Sequence, residues 1–421
     1  MLDRTAAPPF NKIKEIVIKQ PEKRKLANDV DLFILKSGSQ EVIKVELLYN
    51  SGKYAETHNG SAFFAGKMLA EGIPGKTSNE IAAIFDSFGA HLEIIPGLDH
   101  LEISIYCLSK HFQSLAQLLH DIITNPLIPE SELETQKNIR LQSLHVNNEK
   151  NGFLATKLFC KNLFGPTHPY GVILEDEHIL STTKQIVKEY IDKNILNSPF
   201  TIIASGNFEQ EVTDTIENLF GSIKITNNTP VENAVFAPLN ENLYVERSES
   251  VQTSIRMGCS SLKIDHPDYL TLLVANEILG GYFGSRLMKN IREEKGLTYG
   301  IYSGIAHLSK SSYFIISADV KKSNREEAID EITKEISQLQ NVLVSTEELD
   351  TVRNYMLGQL QSSINTPFEL ASKFKLLLVH DLSYSYYTSL IDTITHITAE
   401  EIREISNKFL DPSLMHVIAV G

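Results

Sequence analysis

One pattern of apolar and polar positions occurs twice in this chain. Residues 46–72, ELLYNSGKYAETHNGSAFFAGKMLAEG, pass from a strand pattern through a polar loop into an amphipathic helix pattern. Residues 255–281, IRMGCSSLKIDHPDYLTLLVANEILGG, repeat that order at nearly the same length. His58-Asn59-Gly60 of the first copy corresponds to His266-Pro267-Asp268, 208 residues on. Each copy continues with a helix closed by glycine, at Gly89 and at Gly296, and then two strands, 90–108 and 297–320. Each ends in an apolar strand introduced by proline and stopped by glycine, 197–206 and 411–421. Self-similarity of this kind predicts a tandem duplication.

Local signals sharpen the elements. Thr77-Ser78-Asn79-Glu80 is a capping box ahead of the helix IAAIFDSF. SYFIISADV alternates as a half-buried strand does, and 131–150 reads as a polar helix with a thin apolar stripe. Several helices separate the strand pairs. The expected class is therefore α+β: in each half, a mostly antiparallel sheet covered by helices on one face. The expected boundaries are an N-terminal domain over 1–223, an Asn- and Pro-rich linker over 224–243, and a C-terminal domain over 244–421.

Composition narrows the function. The 421 residues are 42% hydrophobic and 22% charged, as in ordinary globular proteins. A net charge of −14 disfavours binding to nucleic acid or to an anionic membrane. Cys107, Cys160 and Cys259 are widely spaced and form no C-x-x-C, which fits a reducing compartment. The N-terminal residues show no apolar signal core, and no run approaches a membrane span. The cytoplasm is the expected location. A chain trimmed of a signal would read the same, which leaves the periplasm open.

Chemistry is hard to find. No two of the thirteen histidines stand three to five apart, as ligands on one helix face would. The acidic run EDEH (175–178) offers either a cation trap or a helix cap. There is no G-x-S-x-G elbow and no P-loop. LGGYFG (279–284) lacks the strand-before, helix-after setting of a dinucleotide site and reads as a break between helices.

One passage is more specific. GGYFGSRLMKNIREEKGLTYGIYSGI, residues 280–305, closely resembles the C-terminal-half signature of the pitrilysin/insulinase family of zinc peptidases, which includes mitochondrial processing peptidase. The resemblance implies two similar α+β halves that together form half of a clamshell. Active members carry H-x-x-E-H on the first helix of the N-terminal half. Here the flanking Gly60, Met68-Leu69 and Gly72 remain, but the motif positions are Phe63-Phe64-Ala65-Gly66-Lys67. Phe63 and Lys67 stand for the two histidines and Gly66 for the glutamate. The third ligand, a glutamate, is expected near Gln142-Ser143-Leu144, where there is no carboxylate. A catalytic zinc needs three N, O or S ligands, and phenylalanine offers none. No metal is therefore expected on this chain.

The same family places an arginine and a tyrosine from the C-terminal half across the cleft, where they hold the substrate and its oxyanion. The resemblance assigns these roles to Arg292 and Tyr299, with Gly280 and Gly281 as substrate-binding backbone. A plainer reading stands beside it. Arg292 ends a helix, where a cation complements the dipole, and aromatic residues such as Tyr299 are common in strands. If the family's division of labour applies, the partner is a homologous chain bearing H-x-x-E-H, with zinc held there. The ligand is a peptide. The alternative is a scaffold or peptide-binding protein without catalysis.

Overall fold

Residues 42–49, VIKVELLY, alternate as a half-exposed strand would, yet all but the first are buried. The reason is the arrangement of the whole molecule. The structure is a computed structural model that describes residues 16–226 and 233–421. Its first sheet has six strands: β1 (Glu22–Lys25), β2 (Asp31–Lys36), β3 (Val42–Tyr49), β4 (His91–Pro96), β5 (Leu101–Leu108) and β6 (Phe200–Gly206), in the order β1-β2-β6-β3-β5-β4. The second has five: β7 (Leu243–Val245), β8 (Gln252–Ser260), β9 (Thr298–His307), β10 (Ser312–Lys321) and β11 (His416–Val420), in the order β9-β10-β8-β11-β7. Read from the other edge, the second order is the first without β1. In both, a single parallel pair, β2 with β6 and β7 with β11, sits in an otherwise antiparallel sheet. The duplication therefore holds at the level of strand pairing.

Five helices build the site and the contacts between the halves: α1 (Ser61–Met68), α2 (Glu130–Asn148), α3 (Asn151–Phe164), α4 (Tyr269–Asn276) and α5 (Pro367–Val379). Helices α1 and α4 begin at residues offset by the same 208 positions as the sequence repeat. Gly89 and Gly296 close their helices with φ of 60° and 62°, where glycine carries no Cβ penalty.

Each half covers one face of its sheet with its own helices, around one large core per half. The second face is covered by a helix from the other half. α5 lies on β2 and β6, where Leu370, Ala371 and Phe374 meet Phe33, Leu35 and Ile203. α3 lies on β8 and β11, where Phe159 and Leu163 join Ile418 and Ile315. This reciprocal exchange extends the expectation of helices on one face. Part of the expected linker, residues 227–232, lies outside the described residues. Of the remainder, Ala237 and Leu239 donate backbone hydrogen bonds to Phe164 and Asn162, and Phe236 packs on Phe164 and His168. This part of the linker is thus fastened to the first half. EDEH also resolves: Asp176–Leu180 is a short helix, with Glu175 and His178 completing its cap.

Candidate functional site

The N-terminal wall is built on α1. Gly60 enters it at φ 95°, and the Glu56 carboxylate accepts a hydrogen bond from the Ala62 amide at 2.9 Å. Phe64, Ala65 and Met68 face the core. Phe63 is half-buried at the edge of that core, edge-on to Phe64, with the Arg140 guanidinium of α2 4.2 Å from its ring centre. Lys67 Nζ lies 6.0 Å from the same ring. Gly66 packs tightly: a Cβ there would sit 3.1 Å from Pro96 Cβ and 3.3 Å from Leu101 Cδ1.

These residues do not suit a divalent cation. α2 presents Arg140 to Phe63, while Leu144 is buried in the core. Two cations and an aromatic ring stand where a metal would need lone pairs. Among the described residues no three His, Cys, Asp or Glu side chains converge as a metal site. Burial lowers the pKa of Arg140 and of nearby Lys53, and raises that of Glu56.

The C-terminal wall is the signature passage itself. Of its arginines, Arg286 is held by a bidentate pair of 2.9 Å bonds to Glu348 and is structural. Arg292 lies on the helical segment Met288–Glu294 and has no ion-pair partner among the described residues; its guanidinium stacks 4.6 Å over the Phe283 ring. Gly296 turns the chain into β9, and the Leu297 amide donates back to Ile291 at 2.9 Å. Tyr299 lies at the start of β9, 90% exposed, beside a register shift between Thr298 and Ile301. Phe283 is itself exposed, so Arg292 lies on an exposed aromatic ring.

Gly280, assigned by the resemblance to the substrate-binding backbone, is closely packed. It is buried, and a Cβ would lie 2.5 Å from Ser303 Oγ and 2.8 Å from Ser303 N. A Cβ at Gly281 would meet Glu277 Oε2 at 2.5 Å. The pair lets the helix end pack against β9 and over Glu277, whose carboxyl burial pushes up to about 7. Arg140, Lys53, Glu56 and Phe283 were not legible as site residues in the sequence. Their placement depends on how separate elements cross.

Two family models match this chain. The model described as Insulinase (Peptidase family M16) matches residues 32–167, and that described as Peptidase M16 inactive domain matches residues 181–356. The chain belongs to the insulinase family of peptidases. The relatives include the uncharacterized zinc protease YmxG of Bacillus subtilis, 23% identical over 80% of this chain and 83% of that protein. A zinc protease of Rickettsia felis is 24% identical over 91% and 93%. Subunit 1 of the bovine mitochondrial cytochrome b-c1 complex is 23% identical over 54% of this chain and 48% of its own. Among solved structures, a peptidase M16 inactive domain from Pseudomonas fluorescens superposes with TM-score 0.87 at 23% identity, covering 95% of this chain and 98% of that one. That likeness shows the two-domain fold. No helix among the described residues is long and apolar enough to cross a membrane.

Proposed function

We propose that this chain is the non-catalytic subunit of a two-chain zinc peptidase. The observation that carries the reading is an asymmetry between its two walls. The metal helix carries Phe63, Gly66 and Lys67, while the signature turn presents Arg292 and Tyr299 without carboxylate or hydrogen-bond partners among the described residues. As an arginine, Arg292 offers a rigid fork of cationic donors. Tyr299 adds one directional O–H. Both would donate to the substrate carbonyl as it becomes an oxyanion. β9, which carries Tyr299, is an edge strand and suits an extended peptide added alongside it. A partner chain bearing H-x-x-E-H would supply zinc, base and water, most simply in the cytoplasm.

The test is co-expression with such a chain and hydrolysis of a fluorogenic peptide. Arg292→Ala and Tyr299→Phe are each expected to lower kcat by roughly 10²–10³-fold, the usual effect of losing one oxyanion donor. Full activity in both variants, or no association with the partner, overturns the assignment. The likeness to a cytochrome b-c1 complex subunit favours one alternative, a scaffold without catalysis. Under that reading the complex forms and both variants behave as wild type.

A further inference from the structure

The cleft beside Phe63 has a charge balance opposite to that of a metal site. Its volume is about 320 Å³, and its walls include Lys53, Glu56, Phe63, Leu98, Arg140 and Leu174. The Arg140 Nε atom is buried and has no hydrogen-bond partner among the described residues. The rest of the guanidinium rests on Phe63. Lys53 Nζ donates to the Val172 carbonyl at 2.8 Å, which holds the ammonium at the cleft. Lys67 adds a third cation near the Phe63 ring, 6.0 Å from its centre. Neither Lys53, Lys67 nor Arg140 has a carboxylate within ion-pair distance among the described residues. Glu56, the one acid lining the cleft among the described residues, accepts from the Ala62 amide, and burial raises its carboxyl against the opposing pull of Lys53 and Arg140.

An unpaired buried cation is costly unless an anion or dipole satisfies it. A guanidinium that keeps an unmade N–H in a cleft is therefore arranged to receive an acceptor. Arginine matches a carboxylate with two parallel bonds, and an adjacent ammonium adds a point charge. The remaining walls, Phe63, Pro96, Leu98 and Leu174, are apolar and suit an aliphatic or aromatic side chain next to that anion. We propose that this cleft is a carboxylate-binding site, in which Arg140 and Lys53 receive a carboxylate of a bound peptide, from its C-terminus or an acidic side chain. The site occupies the position where active relatives place their metal helix. It rests on the reading of this chain as a peptide-binding wall, and gives that wall a preference for anionic peptides.

The experiment uses this chain alone, so it does not depend on the partner. Three acetyl-capped hexapeptides are titrated calorimetrically: one with a free C-terminus, its C-terminal amide, and an amide carrying one internal Glu. The free acid or the Glu peptide is expected to bind at least tenfold tighter than the neutral amide, and the advantage to shrink as salt rises. Which of the two gains identifies the source of the carboxylate. Arg140→Gln and, separately, Lys53→Gln should remove that advantage while leaving circular dichroism unchanged. A further readout needs no variant: the Arg140 Nε–H resonance of labelled wild type should shift on adding the acid and not the neutral amide. Equal binding of all three peptides, no binding of any, or an unmoved Arg140 signal overturns the site. Loss of it would leave the effects of Arg292→Ala on the two-chain enzyme intact, so the two readings fail separately.

Discussion

Gly280 shows how a residue without a side chain can shape the wall of the site. A methyl group there would press on Ser303 N at 2.8 Å and on Leu287 Cδ1 at the same distance. The backbone contact cannot rotate away. Gly280→Ala should therefore destabilise the fold by about 1–3 kcal/mol, as overpacking does, measured by denaturant unfolding. Because the clash pushes on β9, the variant should also impair Tyr299 in the two-chain assay. The glycine pair was legible in the sequence as a motif. That its purpose is close approach to a strand was not, since Ser303 lies more than twenty residues downstream and meets it only in the folded chain. Arg286 and Arg292 differ in the same way. They look alike in the motif, and only Glu348, sixty-two residues downstream, tells the structural arginine from the available one.

At the scale of elements, the informative feature is the helix that each half lends to the other. On the second face of the first sheet, Lys375 of α5 reaches Glu46 at 3.0 Å and Glu102 at 2.7 Å, while Lys44 reaches Glu46 at 2.6 Å. Burial alone would raise Glu102, but a hydrogen bond shared with Glu46 and the Lys375 ammonium hold its carboxyl below the usual carboxylate range, while burial pushes Glu46 up. Lys375→Met would strip a buried acid pair of one cation and should cost about 3–5 kcal/mol, the usual effect of breaking a buried ion pair. On the second sheet, Phe159 of α3 is fully buried among Leu163, Phe164 and Tyr313. Phe159→Ala should cost about 3–5 kcal/mol. Chemical denaturation monitored by fluorescence or circular dichroism checks both. In sequence, Lys44 and Glu46 look like the solvent face of a strand. Their burial is decided by a helix more than 300 residues away.

At the scale of the whole molecule, the two halves meet through their hairpin tips. Tyr170 donates to Asp99, Asp99 accepts the Ser309 amide at 3.0 Å, and His100 Nε2 lies 3.1 Å from Ser309 Oγ. His307 and His380 stack edge to face nearby, 6.0 Å apart. Burial holds all three histidines below their ordinary value, His307 to about 4 with help from His380. The unfolded chain, titrating near the usual ~6.5, takes up these protons first. Their contribution to stability is therefore complete above about pH 6.5 and is lost as pH falls towards 4. The thermal unfolding temperature should be lower at about pH 4.5 than at about pH 7, and His307→Phe should reduce that difference. An unchanged profile in the variant would remove His307 as the cause.

The sequence by itself determined the duplicated order of elements, the capped and glycine-closed helices, and an α1 that carries no histidine, cysteine or carboxylate. Those are properties of spacing, backbone preference and side-chain chemistry, which act over a few residues or can be compared between repeats. Only the tertiary structure decided that each sheet is covered on its second face by the other half, that Arg140 rests on Phe63, and that Arg292 is left without a carboxylate among the described residues. Those outcomes depend on which distant segments share one small volume, where burial and charge are settled together rather than residue by residue.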